Sequence, residues 1–523
     1  MVRALHTLVL ALLPQVLATP APVARSGPPR PLVTSEATLV DRTPTPVDKR
    51  DLGDTVGSIL GGLGSDVPSY VASGVPNFFQ NFPTGSAVQS SLGLSDSDVA
   101  ALPTQVLNLP SYANWTDSGW NLRVHGNVYK KPNISTSKLN DLANVFLIGT
   151  SIDDLPASQQ DQARNLTAEI FVIQQANENV TLTLDTNYAA PSQFNGGLIA
   201  AKGGAQMLEY PGKTTVEGDF DTVITLQNAS SSSGEYLIPG NATTSVQALN
   251  IYATGTETGN ASAYLVPTEG LTIISDIDDI LRVTKIYEPS EGLLNSFARP
   301  FTPWMNMPEI YANWSASIPD FHFHYLTTTP EQVTANYMNY IYNNYPLGSF
   351  DTRPLNFSDV TATLSIRKFL LEKVFQTFPK RKFILIADTS NSDVMKDYPA
   401  MVTEYPNQVQ CILLRNTSST DSGDKFPYDT SGFGGLNQEL YMFFNVPDDL
   451  KGLDITGGQC WNASVKQNVT FGEQGLPFGL STSGSNSSNS KSAGIPSIGE
   501  SGLMRSIGVA FGVMMLGVLL SAI

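Results

Sequence analysis

Leu271-Thr-Ile-Ile-Ser-Asp-Ile-Asp-Asp279 decides how the rest of this sequence is read. A compact β-branched run gives way at once to a cluster of acids. Runs of this kind, apolar without alternation, belong to strands covered on both faces. Residues 321–326, 382–386 and 410–414 repeat the pattern, and helical patterns lie between them. Thr329-Pro-Glu-Gln332 supplies an N-cap, a proline at N1 and a capping-box glutamine, opening a helix to about Tyr342. Residues 366–378 form a second amphipathic helix, ended by Pro379, and Ser392 caps a third. Strands joined by crossover helices predict a parallel α/β sheet.

In such a sheet ligands bind beyond the carboxyl ends of the strands. The first strand runs into Asp276, Asp278 and Asp279, the second ends at Thr327-Thr-Thr329, and the third at Asp388, with Asp393 close behind. Asp276 and Asp278 are spaced to share one site with different duties. One carboxylate attacks phosphorus; the other protonates the leaving oxygen and then activates water. Crowded carboxylates repel a phosphate, and a Mg²⁺ held by oxygen ligands removes that objection. Asp388 and Asp393 complete its expected shell. Taken alone, Asp-x-Asp-Asp is more often a solvated turn, a helix cap or a Ca²⁺ loop; three strand ends in this order shift the reading to a catalytic site.

Taken together, Ile273-Ile-Ser-Asp-Ile-Asp-Asp279 with Val283-Thr-Lys285, Phe323-His-Tyr-Leu-Thr-Thr-Thr-Pro330 and Phe378-Pro-Lys-Arg-Lys-Phe-Ile-Leu-Ile-Ala-Asp388 resemble the catalytic domain of the fungal actin-patch phosphatidate phosphatase family. The resemblance covers roughly residues 266–418. It implies a haloacid-dehalogenase-like, Rossmannoid fold and Mg²⁺-dependent phosphatidate hydrolysis. By that resemblance Asp276 is nucleophile and metal ligand, and Asp278 is general acid/base with its carbonyl on the metal. Thr327 binds phosphoryl oxygens, Arg367 or Lys368 balances their charge, and Asp388 binds the metal with Asp393 in support. Three positions depart from the family pattern: Ile280 for Thr, Ala387 for Gly and Thr327 for Ser.

Upstream, residues 111–265 carry short β-branched runs at 122–128, 168–173, 180–184, 222–226 and 246–252, separated by Asn, Gly and Ser turns. That spacing predicts an antiparallel β-sandwich. Residues 51–110 read as short helical segments, including 99–107, packed on something larger. The α/β unit is expected over 266–478.

The two ends read as addresses. Residues 1–18 have the pattern of a signal peptide, and 19–50 form a Pro-rich pro-segment or linker ending in Lys49-Arg50. Residues 479–492 form a Ser/Asn-rich stalk, and 493–523 fit a glycolipid-anchor signal with attachment near Ser492, the rival reading of the apolar tail being a membrane helix. Thirteen Asn-x-Ser/Thr sequons accompany them, at Asn114, Asn133, Asn165, Asn179, Asn228, Asn241, Asn260, Asn313, Asn356, Asn416, Asn462, Asn468 and Asn486. The chain is therefore expected at the cell surface, held on the membrane by its anchor. Cys411 and Cys460 either pair as a disulfide or stay as two buried thiols. A formal charge of −17 disfavours nucleic acid as a partner and requires any phosphate substrate to find local positive charge. The rival functions are a catalytically silent surface protein that keeps the fold, and a general extracellular phosphatase without lipid preference. His322 and His324, alternating with Phe321 and Phe323, read as sheet-face packing rather than zinc ligands, and Tyr337 and Tyr340 as helix packing.

Overall fold

The computed structural model describes residues 85–467 apart from 148–149, 186–197, 204, 229–234, 286–288, 319–320, 354–365 and 422–429. The expected signal peptide, pro-segment, stalk and anchor signal, and the sequons at Asn356, Asn468 and Asn486, lie outside the described residues.

Two short helices come first, α1 (Gly85–Ser91) and α2 (Asp96–Ala101). Ser95 and Asp98 cap α2 reciprocally. Pro103 stops the helix, so the apolar run to Leu107 is corrected from helical to extended: it forms β1 (Thr104–Asn108). Strands β2 (Ser111–Thr116) and β3 (Gly119–Lys130) follow, then helices α3 (Thr136–Phe146) and α4 (Ala157–Ile170). The run 168–173 is a second correction. Ala163, Leu166 and Ile170 bury one helical stripe of α4, and only Ile173–Gln174 is extended, as β4. Strands β5 (Thr181–Asp185), β6 (Ile199–Ala200), β7 (Gln206–Glu209), β8 (Asp219–Thr225), β9 (Gln247–Ala253) and β10 (Asn260–Leu265) complete the unit.

These ten strands belong to one connected sheet. The long strand β3 meets β2 and then β1 on one edge, and β8 and then β4 on the other. The sheet is mixed rather than purely antiparallel, because β10 runs parallel to β2 and β6 parallel to β9.

The second sheet is wholly parallel. Its parts, in chain order, are β11 (Leu271–Ser275), α5 (Pro289–Phe297), α6 (Met307–Ser317), β12 (Phe321–Pro330), α7 (Glu331–Asn344), β13 (Gly348–Arg353), α8 (Ile366–Thr377), β14 (Lys382–Asp388), α9 (Ser392–Glu404), β15 (Val409–Arg415) and β16 (Tyr441–Phe444). In space the strands run β13-β12-β11-β14-β15-β16. Winding goes outward one way from β11 and then resumes on its other side at β14. The switch point, where such sheets open a crevice, lies between β11 and β14. Every residue of β11 is buried, as the apolar run required.

The two sheets share their cores. Tyr112, Val246, Tyr264 and Val266 pack with Ile274, Leu326, Leu371 and Phe378 in one apolar cluster. His322 and His324 sit at this boundary, buried, sharing the Ser349 hydroxyl at 2.9 and 2.8 Å. Asp219 of β8 and Glu331 of α7 also face one another there. Burial raises both, Asp219 to about 6 and Glu331 well above the usual carboxylate range; the charges of Asp219 and Asp221 add to the rise of Glu331, while its hydrogen bond to Asp219 partly offsets the rise there. Glu331 therefore keeps its proton at neutral pH and donates it toward Asp219. Folded-state values lie above unfolded ones, so this pair stabilises the protein at low pH and loses that contribution as pH rises through about 6 and beyond. Asp219→Asn is expected to flatten this part of the stability–pH curve and to raise the melting temperature at pH 8, measured by thermal unfolding from pH 5 to 8.

Cys411 and Cys460 form a disulfide with 5.2 Å between their Cα atoms, tying β15 to the segment after β16. The thiol alternative is thereby set aside. Double replacement by serine should cost about 3 to 4 kcal/mol for a loop of this size, read from urea unfolding.

Candidate active site

Asp276 follows β11 directly, and its N–H donates to the Ile386 carbonyl at 2.8 Å. This bond extends the β11/β14 pairing by one residue and brings Asp276 beside the end of β14, where Asp388 stands. Both carboxylates are buried. Asp276 Oδ1 accepts the Ile277 N–H at 2.9 Å, and Oδ2 lies 3.0 Å from Arg367 Nη2. Burial pushes Asp276 up to about 6 despite Arg367, with Asp278 adding to the rise. Asp388 accepts the Ser390 N–H at 2.7 Å. Burial, then the charges of Asp279 and Asp276, push it up to about 8. The parallel β11/β14 pairing, continued by the Asp276–Ile386 bond, sets the two strand ends side by side.

Arg367 opens helix α8 and is buried. Burial opposes its charge, and Asp276, Tyr398, Asp393 and Asp388 overcome that opposition. None of its three nitrogens makes a hydrogen bond among the described residues, although Nη2 pairs with Asp276. The side chains of Ser390, Asn391 and Thr328 likewise leave buried polar atoms without partners. Unmet buried donors are costly unless a ligand or water satisfies them. Lys368, the other basic residue expected here, is corrected: it lies partly exposed and pairs with Glu404 at 2.7 Å. One residue along a helix turns a side chain by about 100°, so Arg367 and Lys368 cannot share a face.

Asp278 is held differently. Its Oδ1 accepts from Arg282 Nε and from the Thr284 hydroxyl, both at 2.7 Å, and Arg282 Nη2 is 2.6 Å away. Tyr337 reaches both carboxylate oxygens at 3.4 Å. Arg282 lies over the rings of Phe301 and Tyr337, 4.2 and 4.6 Å from their centroids. Asp279 adopts a left-handed backbone, φ 56°, and its Oδ1 accepts the N–H groups of Thr284 and Lys285 at 3.1 and 2.9 Å. Arg415, at the end of β15, contacts Asp279 at 3.5 Å and lies over Trp304 at 4.1 Å.

Thr327 is buried at the end of β12, and its hydroxyl donates to the Thr329 hydroxyl at 3.0 Å. Asp393 sits in the first turn of α9, which Asn391 rather than Ser392 caps by accepting the Asp393 N–H at 2.9 Å. Burial raises Asp393, partly offset by Arg367. The sequence assigned no role to Arg282, Tyr398 or Arg415, carried Thr284 only within the Val283-Thr-Lys285 motif, and gave Tyr337 as helix packing, whereas its hydroxyl also meets Asp278 and Arg282. Two signals were present: Arg282 stands four residues after Asp278, and Arg415 ends its strand as Asp388 ends the strand beside it. Asn416, a sequon, is buried beside Arg415, so the reading of that position as a glycan acceptor is corrected; Asn133, Asn165, Asn179, Asn228, Asn241 and Asn313 are exposed. Among the described residues no three His, Cys, Asp or Glu side chains gather closely enough to hold a metal ion by themselves.

Fold and site together define a doubly wound parallel α/β unit with carboxylates and a buried arginine at its switch point. Residues 271–416 match the family model described as the phosphatidate phosphatase APP1 catalytic domain, and this part of the chain is APP1-like. Phosphatidate phosphatase APP1 of Saccharomyces cerevisiae is 28% identical over 167 residues, which are 31% of this chain and 28% of that protein. The chain thus matches less than a third of that relative's length. A solved structure of Parabacteroides merdae β-glucuronidase aligns with 60% of this chain and 39% of its own at 9% identity and a TM-score of 0.18, a likeness from which nothing follows.

Proposed function

We propose that this chain is a Mg²⁺-dependent phosphomonoester hydrolase of haloacid-dehalogenase type, acting on phosphatidate or a related phosphate ester at the cell surface. The observation that carries this reading is the buried meeting of Asp276, Arg367 and Asp388 at the switch point of the sheet. An Asp276 oxygen attacks phosphorus, the bond to the leaving oxygen breaks, and Asp278 supplies the proton that oxygen takes. Water then attacks the aspartyl phosphate, Asp278 accepts its proton, and inorganic phosphate departs with Asp276 restored. Arg367, Thr327 and the unmet donors of Thr328 and Ser390 receive the phosphoryl oxygens.

The donor set fits a magnesium ion. No lysine or arginine forms an ion pair with Asp388 among the described residues; Arg367 pairs with Asp276 instead, and Asp279 and Asp276 raise the Asp388 carboxyl further. Magnesium is commonly held by one or two carboxylates, with water and substrate phosphate completing the shell. Asp276, Asp388 and the Asp278 carbonyl would hold it, with Asp393 in support. Once bound, it neutralises the carboxylates and polarises the phosphoryl group.

The departures at Ile280 and Ala387 favour a second reading, a silent surface protein. Against it, both residues are wholly buried in the apolar core, and the acids and Arg367 remain. The exposed sequons and the disulfide support export through an oxidising compartment, and the small-residue, spacer and apolar pattern of 492–523 supports the glycolipid-anchor reading. The test is phosphate release by the purified protein from phosphatidate and from an aryl phosphate, with Mg²⁺ and with chelator. Release from both, abolished by chelator, is expected; no release from either rejects the enzyme, and preference for the aryl ester rejects the lipid.

A further inference from the structure

Arg123 stands in the middle of β3, in the β-rich unit, yet it is buried against the catalytic sheet. Its Nη1 donates to Asp351 Oδ2 at 2.7 Å, while Nε and Nη2 hold Asp221 of β8 at 2.9 Å each. Asp351 is wholly buried on β13 and sits opposite Leu326, the residue before Thr327. Burial alone would raise its carboxyl; Arg123 and then Lys373 hold it below its ordinary value. The next residue, Thr352, donates its hydroxyl to the Thr329 carbonyl. Between Leu326 and Pro330 the β12/β13 register slips, so the Thr327–Thr329 run lacks regular ladder support and depends on such side contacts. Further bonds cross the same boundary. The Phe350 N–H donates to the Pro110 carbonyl at 2.9 Å, Lys373 of α8 reaches Asp221 at 2.7 Å, and the Asn114 amide donates to the Thr377 carbonyl at 3.1 Å. Both elements so gripped, the end of β12 and helix α8, carry site residues.

We infer that the β-rich unit is a built-in positioning element of the active site, in which Arg123 fixes Asp351 and thereby the Thr327–Thr329 end of β12. The segment that matches the catalytic family is then incomplete without residues 104–265. Only the kinetic arm of the test rests on the phosphatase reading.

The test compares Arg123→Met, Arg123→Lys and the double variant Arg123→Met/Asp351→Asn in the full chain, by rate of phosphate release and by amide hydrogen exchange. Arg123→Met should lower kcat/KM about tenfold or more, since displaced positioning groups carry penalties of this size. It should also speed exchange at residues 327–329 and 351–353 while leaving β14 and β15 unchanged. Arg123→Lys, which keeps the charge, should recover part of both. If Arg123→Met alone does not fold, the double variant, which strands no buried carboxylate, carries the same expectation. Wild-type rate and wild-type exchange in a folded variant overturn the inference, as does exchange rising equally throughout both sheets. If the wild type itself releases no phosphate, the phosphatase reading fails and the exchange pattern alone decides the clamp.

Discussion

Asp276→Asn is expected to reduce phosphate release by on the order of 10⁴-fold or more while leaving circular dichroism unchanged, because a neutral amide cannot form the acyl phosphate. The substitution preserves the shape of the side chain. The amide oxygen can still accept the Ile277 N–H, which the carboxylate accepts at 2.9 Å. What disappears is the anionic oxygen beside Arg367. Steady-state kinetics on the purified protein check this, and residual activity within tenfold of wild type removes Asp276 from the chemistry.

The second large effect belongs to Arg367. Arg367→Met should lower kcat/KM by on the order of 10³-fold, the scale on which a preorganised donor to a developing oxyanion is worth its place. Two causes act together. The phosphoryl oxygens lose a buried guanidinium, and Asp276, already pushed up to about 6, loses the charge that opposes its protonation. Inhibition by orthophosphate should weaken in parallel. Lys368→Met, one residue away, should stay within about twofold of wild type, since loss of a partly exposed pair with Glu404 is worth little. Equal damage from both substitutions would mean that helix α8, rather than its inward-facing arginine, is what matters.

The strands that carry the site were legible because burial on both faces leaves a plain signature. Leu271-Thr-Ile-Ile274 and Lys382-Phe-Ile-Leu-Ile386 admit no other reading once helical patterns separate them, and the acids at their ends then fall into one crevice. β13 was not legible. Gly348-Ser-Phe-Asp-Thr-Arg353 is an edge strand whose buried Asp351 is tolerated only because Arg123, 228 residues earlier, neutralises it. A partner so far away in sequence leaves no local trace. The same holds for Arg415, whose role depends on β15 lying beside β14. Helices α3 and α4 escaped because their polar faces resemble the surrounding Asn- and Ser-rich turns, and only the spacing of Ala163, Leu166 and Ile170 betrays a buried stripe. The strand connectivity upstream was not legible either: β3 is long enough to join strands on both its edges, so all ten strands belong to one connected sheet, which no local pattern announces.

The most direct measurement is chemical trapping of the phosphorylated side chain. Enzyme quenched in acid during turnover, reduced with borohydride and digested should yield a peptide in which Asp276 has become homoserine, since borohydride reduces an acyl phosphate but not a free carboxylate. Turnover that leaves Asp276 unmodified, or places the modification on Asp278 or Asp388, would contradict the assignment of Asp276 as the attacking group.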